Sequence, residues 1–152
     1  VVISSDGLIL TTADVISGGS VIQILSEGKI NKARLLNVNW GLNLAIIKLD
    51  DTLAMKIAVL DNSLSFSSGQ ELIITGKASL LSKPEIFTQK AIVNYLIAKE
   101  TLLDTTVNSF ISGAKILSGD GKYIGLTYIR SGKVYAIDAQ TINDFINKYL
   151  SK

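Results

Sequence analysis

The sequence predicts an all-β fold of two strand-rich halves closed by one α-helix. Three observations carry this: apolar residues recur at period two or in short runs, Gly, Asn, Asp and Ser interrupt them at short intervals, and a single helical stripe stands at the end. Periodicity alone leaves a barrel and a sandwich both open.

In the first half the candidate strands are Val1 to Ser4, Leu8 to Thr11, Ser20 to Leu25, Ile30 to Asn39, Leu44 to Leu49 and Ile57 to Leu60. In the second half they are Glu71 to Thr75, Ile86 to Ala98, Thr105 to Val107, Lys115 to Leu117, Lys122 to Ile129 and Val134 to Ile137. Ser4-Ser5-Asp6-Gly7, Ser118-Gly119-Asp120-Gly121 and Ser131-Gly132 carry turn chemistry, because glycine supplies the positive φ of tight hairpins. The serine-rich segment from Asp61 to Gly69 lacks strand periodicity and reads as the connection between the halves. At the end, Ile142, Phe145, Ile146, Tyr149 and Leu150 fall at i, i+3, i+4, i+7 and i+8, the apolar stripe of a helix. Thr141 and Asp144 fit a capping box, so a helix from about Thr141 to Leu150 is expected, docked on the second half. The expected partition is 1–60, a linker 61–68, 69–138 and a helical segment 139–152, with Ile9, Ile24, Leu44, Ile46, Ile73, Ile124 and Phe145 in the core.

Composition narrows the function classes. At 152 residues, 47% apolar and 18% charged, the chain is sized for one ordinary domain with a packed core rather than a disordered segment. A net charge of +2 does not point to nucleic acid, and most of the cation excess, from Lys77 to Lys133, reads as a solvated face. No apolar run reaches the roughly 20 residues that span a bilayer, so direct membrane insertion by this segment is not expected. The chain opens at Val1 without a methionine, inside what reads as a strand, so upstream residues are expected, with any signal or anchor among them. Zero cysteines exclude disulfides and thiolate metal sites but leave the compartment open.

Four blocks in order point to a family. The opening Val1-Val2-Ile3-Ser4-Ser5-Asp6-Gly7-Leu8-Ile9-Leu10-Thr11 resembles the V-I-S-x-D-G-x-I-L-T-N-A-H-V segment of bacterial HtrA/DegP-type trypsin-like serine proteases. Gly41 to Asp50 resembles the family's T-D-L-A-V-L-K-I block, and Ser68 to Gly76 its V-G-E-x-V-x-A-I-G strand. Ser112 to Gly125 resembles the nucleophile segment G-N-S-G-G-P-L-x-N-x-D-G-x-V-I-G, and Tyr135-Ala136-Ile137 matches the F-A-I before the last helix. The resemblance implies a double six-stranded β-barrel of trypsin-like type with a C-terminal α-helix.

Carried over residue by residue, the catalytic positions read Asp14 for histidine, Asn43 for aspartate and Ser112 for the nucleophile. The glycine two residues before the nucleophile is Phe110, and the asparagine between them is Ile111, so the oxyanion-hole position is altered as well. The chain contains no histidine at all. A serine becomes nucleophilic when an imidazole of pKa about 6.5 takes its proton and a carboxylate orients that imidazole. An aspartate of reference pKa about 3.9 is a weak base at neutral pH, and Asn43 brings no charge. Asp14 hydrogen-bonded to Ser112 would be a structural substitute for the histidine bond.

The bland readings are weighed beside these. Ser112 alone fits an ordinary loop serine, a Ser112–Lys115 dyad needs a neutral lysine that an exposed side chain does not supply, and Trp40 fits a barrel aromatic. A metal at Asp14 has no histidine or cysteine to join it, so neither metal nor cofactor is expected. The resemblance therefore implies a pseudoprotease that binds or scaffolds proteins in the cell envelope. A hydrolase with an unconventional arrangement around Ser112 and a structural subunit of an envelope assembly are the alternatives. The implied partner is a protein or extended peptide, not a nucleic acid, bound along Lys133, Val134, Tyr135, Ala136 and Ile137 as an edge strand, with an oligomer possible through upstream residues. No PDZ domain is expected in the residues after the helix. The hairpin Tyr128 to Val134 is short, implying a small pocket wall.

Overall fold

The computed structural model describes residues 1–26, 28–50, 56–80, 83–97 and 100–151. Two compact units comprise Val1–Val59 with Ser79–Glu85, and Leu60–Ala78 with Ile86–Lys152. Among the described residues no helix is long and apolar enough to cross a membrane.

The first unit holds β1 (Leu8–Thr12), α1 (Ala13–Ile16), β2 (Ile22–Ser26), β3 (Lys29–Asn39) and β4 (Leu44–Leu49), with the strands in the antiparallel order β1-β4-β3-β2. Strand β3 pairs with β2 through its first half and with β4 from Ala33 onward, and the register skips between Leu35 and Asn37. Such a bulge bends a strand and sharpens its twist, which lets β3 curve from one neighbour to the other. Ile9, Ile47 and Leu49 form the core, with Val2, Ile22, Ile24 and Ala33 packed on it. Gly7 takes φ +90°, and a Cβ there would lie 3.3 Å from that of Leu49, so both conformation and space favour glycine at this turn.

The second unit is a closed barrel. Its strands are β5 (Glu71–Leu80), β6 (Lys83–Ile97), β7 (Glu100–Asp104), β8 (Lys115–Leu117), β9 (Tyr123–Arg130) and β10 (Lys133–Asp138), in the order β10-β7-β6-β5-β8-β9. Ser131 (φ 51°) and Gly132 (φ 72°) join β9 to β10. Two consecutive positive φ values define the type I′ turn, whose twist matches that of the flanking strands. Phe66, Leu72, Ile74, Val93, Leu103, Ile116, Ile124 and Val134 are buried together in the barrel core. Helix α2 (Ala139–Leu150) lies against β9 and β10 and buries Ala139, Ile142 and Phe145. The double-barrel fold is thus present as one closed six-stranded barrel, a half-barrel sheet and a C-terminal helix.

Several local expectations are corrected. Val1 to Ser4 and Ile57 to Leu60 are not strands, and contribute only the isolated bridges Val2–Ile9 and Leu60–Tyr123, so the first half presents four strands rather than six among the described residues. Thr105 to Val107 is not a strand either. Thr105 instead donates its hydroxyl to the Lys90 carbonyl at 2.7 Å, and the pairing strand is β7 just before it, whose Leu102 and Leu103 are buried. Strand propensity in a Thr-Thr-Val run yields to that burial. Ile73 is half-buried because Leu72 and Ile74 take the inward face of β5, and Ile24 is likewise at the margin of its core. Segment 61–68, expected as a linker, falls within the second unit and sends Phe66 into its core with Leu64 packed beside it. Ala98 lies outside the described residues.

The helix begins two residues earlier than its stripe indicates. Asp138, not Thr141, is the cap, its carboxylate accepting the Thr141 N–H at 2.7 Å, while Asp144 accepts from Gln140 at 2.9 Å. Asp138→Ala should therefore cost about 1 kcal/mol, read as a lower denaturant midpoint with an unchanged slope. A larger loss follows at Gly125, where a Cβ would come within 2.5 Å of the Ile137 carbonyl oxygen and 3.1 Å of the Phe66 ring. Gly125→Ala should fail to give a cooperative thermal transition, and wild-type melting of that variant would show that β9 and β10 can separate freely.

Candidate functional site

The short helix α1 owes its position to a residue far away in sequence. Four residues are too few to sustain a helix, so its first amide groups need outside acceptors. Asn43 supplies two: its backbone carbonyl accepts the Ala13 N–H at 3.1 Å and its side-chain Oδ1 accepts the Asp14 N–H at 2.9 Å. The same side chain returns a bond, Nδ2 donating to Asp14 Oδ1 at 3.2 Å. Asn43 reaches this position with φ 54°, a left-handed conformation that asparagine tolerates better than most residues. Two of the candidate positions are thereby brought together in the first unit as a reciprocal carboxylate–amide pair. Trp40, at the start of the same turn, is 62% exposed, so of the packed and half-exposed forms expected of it the packed one is excluded.

Ser112 belongs to the second unit and sits in a segment bound tightly to β9. The Gly113 N–H donates to the Thr127 carbonyl at 2.8 Å, and the Thr127 N–H donates to the Ala114 carbonyl at 3.0 Å. The buried Thr127 hydroxyl bonds to the Ile111 carbonyl and lies 3.3 Å from that of Ala114. Ile129 donates its N–H to Ser112 Oγ at 3.0 Å. That bond takes up one of the two lone pairs of the hydroxyl oxygen.

The neighbouring amide is occupied too. Phe110 donates its N–H to Asn108 Oδ1 at 3.0 Å, and Asn108 donates Nδ2 to Gln89 Oε1 at 2.7 Å. An oxyanion hole needs amides aimed at the position where negative charge develops, and here an internal acceptor already holds this one. Ile111, the other altered position, is fully buried in the barrel core. Asn108, Thr127 and Ile129 were not singled out from the sequence. An Asn two residues before Phe110 is an Asx-turn signal that could have been read; the other two have no sequence signature.

The expected peptide edge is corrected. Val134, Tyr135 and Ala136 pair with Leu103, Leu102 and Thr101 of β7 on one side and with β9 on the other, so their backbone groups are committed to the closed barrel. Lys133 and Ile137 pair with β9 at the ends of the same strand. On the outside of this region Arg130 holds Glu100 through two bonds of 2.7 Å and lies 4.6 Å over the Tyr135 ring, which stacks on Tyr128. The Arg130 guanidinium holds the Glu100 carboxyl below its ordinary value. Lys115 places its ammonium 6.0 Å from the Tyr123 ring centre, a cation–π placement. Among the described residues no three His, Cys, Asp or Glu side chains cluster in a way that could hold a metal ion.

This arrangement is that of the trypsin-like protease fold. The protease domain of MamO from Magnetospirillum magneticum, in its apo form, superposes with a TM-score of 0.78 at 15% identity, covering 95% of this chain and 85% of that one. Residues 1–126 match the model of the trypsin-like peptidase domain, and the chain belongs to that family. It is similar to serine protease HTRA4 of Homo sapiens, 25% identical over 97% of this chain and 34% of that protein. Serine protease HTRA1B of Danio rerio is 24% identical over 95% of this chain and 33% of its own length. The chain thus spans about a third of the curated relatives it matches.

Thr127→Val keeps the shape of the clasp and removes its hydroxyl. The Ile111 and Ala114 carbonyls keep the backbone N–H groups of Ala114 and Thr127, so losing the hydroxyl bond should cost about 1 kcal/mol, and Thr127→Ser should recover most of it. Equal stability of the valine and serine variants in urea would mean that the hydroxyl fastens nothing.

Proposed function

We propose that this domain is a catalytically silent member of the trypsin-like family, a pseudoprotease that serves as a protein-binding or scaffolding module. The observation that carries the reading is the reciprocal Asp14–Asn43 pair, standing where the resemblance places the general base and its orienter. No histidine exists in the 152 residues to take a proton from Ser112. The engaged Phe110 amide supports the same reading, since it removes a donor for the oxyanion, and the Ile129 N–H that bonds Ser112 Oγ ties the hydroxyl to β9. Together they disfavour a hydrolase organised around Ser112. A purely structural subunit is separated from a binding module by whether a partner copurifies.

The resemblance to bacterial HtrA/DegP-type proteases favours an extracytoplasmic setting in a bacterial envelope, with proteins or extended peptides as partners. Casein should be cut no faster by the wild type than by Ser112→Ala, and a fluorophosphonate probe should not label Ser112. Turnover or labelling abolished by that substitution would overturn the proposal. Asp14→His with Asn43→Asp should still give activity near background, because the Phe110 amide remains bonded to Asn108. Robust cleavage by that pair would show that the oxyanion site is open.

A further inference from the structure

Of the two terminal strands of the first unit's sheet, β1 is met on its outer side by Val1 and Ile3, which leaves β2 to offer main-chain groups to an outside chain. Among the described residues it pairs on one side only, with β3, from Ile22–Ala33 to Ser26–Lys29. The closed barrel of the second unit has no counterpart to this edge. Ile22 and Ile24 pack toward the core of the first unit, so Gln23 and Leu25 belong to the opposite face. An unpaired edge carries alternate N–H and C=O groups pointing outward, the template on which extended peptides add as a further strand.

A cavity of about 350 Å³ opens along the start of this strand, lined by Ile16, Val21, Ile22 and Leu35 with Lys32, Arg34 and Asp50. Its volume falls in the lower range of ligand sites, the size of one or two side chains. Val21, at 63% exposure, leaves apolar surface open at the approach to β2. The charges around it are unbalanced. Among the described residues Lys29, Lys32 and Arg34 are exposed on β3, while the one lining carboxylate, Asp50, lies 3.9 Å from Arg34.

We propose that the β2 edge and this cavity form a docking site for an extended acidic peptide, in which apolar residues alternate with carboxylates. Its backbone completes the ladder of β2, an apolar side chain enters the cavity beside Val21 and Ile22, and carboxylates meet Lys32 and Arg34. The alternation follows from the two-residue period of a strand. The cations also decide against a second copy of this chain as the occupant, because pairing β2 with itself would bring two surfaces of like charge together. The site is independent of Ser112 and stands whether or not that serine is reactive.

The test uses the 152-residue chain and short synthetic peptides. Titration with a peptide alternating valine and glutamate should shift the amide resonances of Gln23, Leu25, Lys32 and Arg34, while one alternating valine and lysine should not. Lys32→Glu and Arg34→Glu change exposed side chains and should each weaken the acidic peptide about tenfold, with the far-UV spectrum confirming retained structure. Methylating alternate backbone nitrogens of the peptide should abolish binding without altering the protein at all. Undiminished binding of the methylated peptide, equal response to the lysine peptide, shifts confined to residues outside β2 and β3, or concentration-dependent β2 shifts without peptide would each overturn the proposal.

Discussion

The hold of Thr127 on residues 111 to 114 is the constraint on which the second unit's candidate site depends. Strand pairing between β8 and β9 ends at Lys115–Leu126, and beyond it the ladder is continued by a segment that is not a strand. Thr127 continues it with its N–H, its carbonyl and its hydroxyl, all in a fully buried position where a missing partner is costly. Every group near Ser112 inherits its position from this clasp: Ile111 is pulled into the core, Gly113 is fixed at φ 79°, and the serine hydroxyl is set before the Ile129 amide. The first unit has its own version of such a constraint, since Asn43 holds α1 by its carbonyl and its side chain together.

These two constraints explain how the family scaffold accommodates residues that depart from the family's motif. Asp14 and Asn43 satisfy each other, and Phe110 is satisfied by Asn108, so the altered positions are not left as unpaired polar groups. The local cost of the changed residues is met by local hydrogen bonds, and the strands around them keep their register.

Legibility from sequence followed the range of the interactions. Leu44–Leu49 and Lys115–Leu117 were readable to the residue, because short apolar runs bounded by turn residues define a strand without reference to its neighbours. The Ser131–Gly132 hairpin was readable because its turn chemistry is local. Helix α1 was not, since four residues hold no period and its stability comes from Asn43, 29 positions away from Asp14. The start of α2 was displaced because both Asp138 and Thr141 can cap, and only packing of Ala139 decides between them. The Lys133–Ile137 edge failed for a deeper reason: a period of two reveals the faces of a strand and says nothing about its neighbours in the sheet. Asp14, Asn43 and Ser112 were singled out through resemblance, but that Ile129 bonds Ser112, that Asn108 holds Phe110 and that Thr127 holds Ile111 was not legible.

The strand order of the barrel also dictates when it can be completed. Neighbours β9 and β10 are joined by a two-residue turn and meet early, but β10 must also reach back to β7, and β8 to β5, across long stretches of chain. Loop-closure entropy makes such pairings late and slow compared with hairpins. During synthesis, β5 therefore keeps an open edge until β8 has emerged and β7 until the last strand has, with β6 already flanked by both. For that interval the most protected part of the finished molecule is its most aggregation-prone, and a chaperone would be needed there rather than at any exposed surface of the folded state.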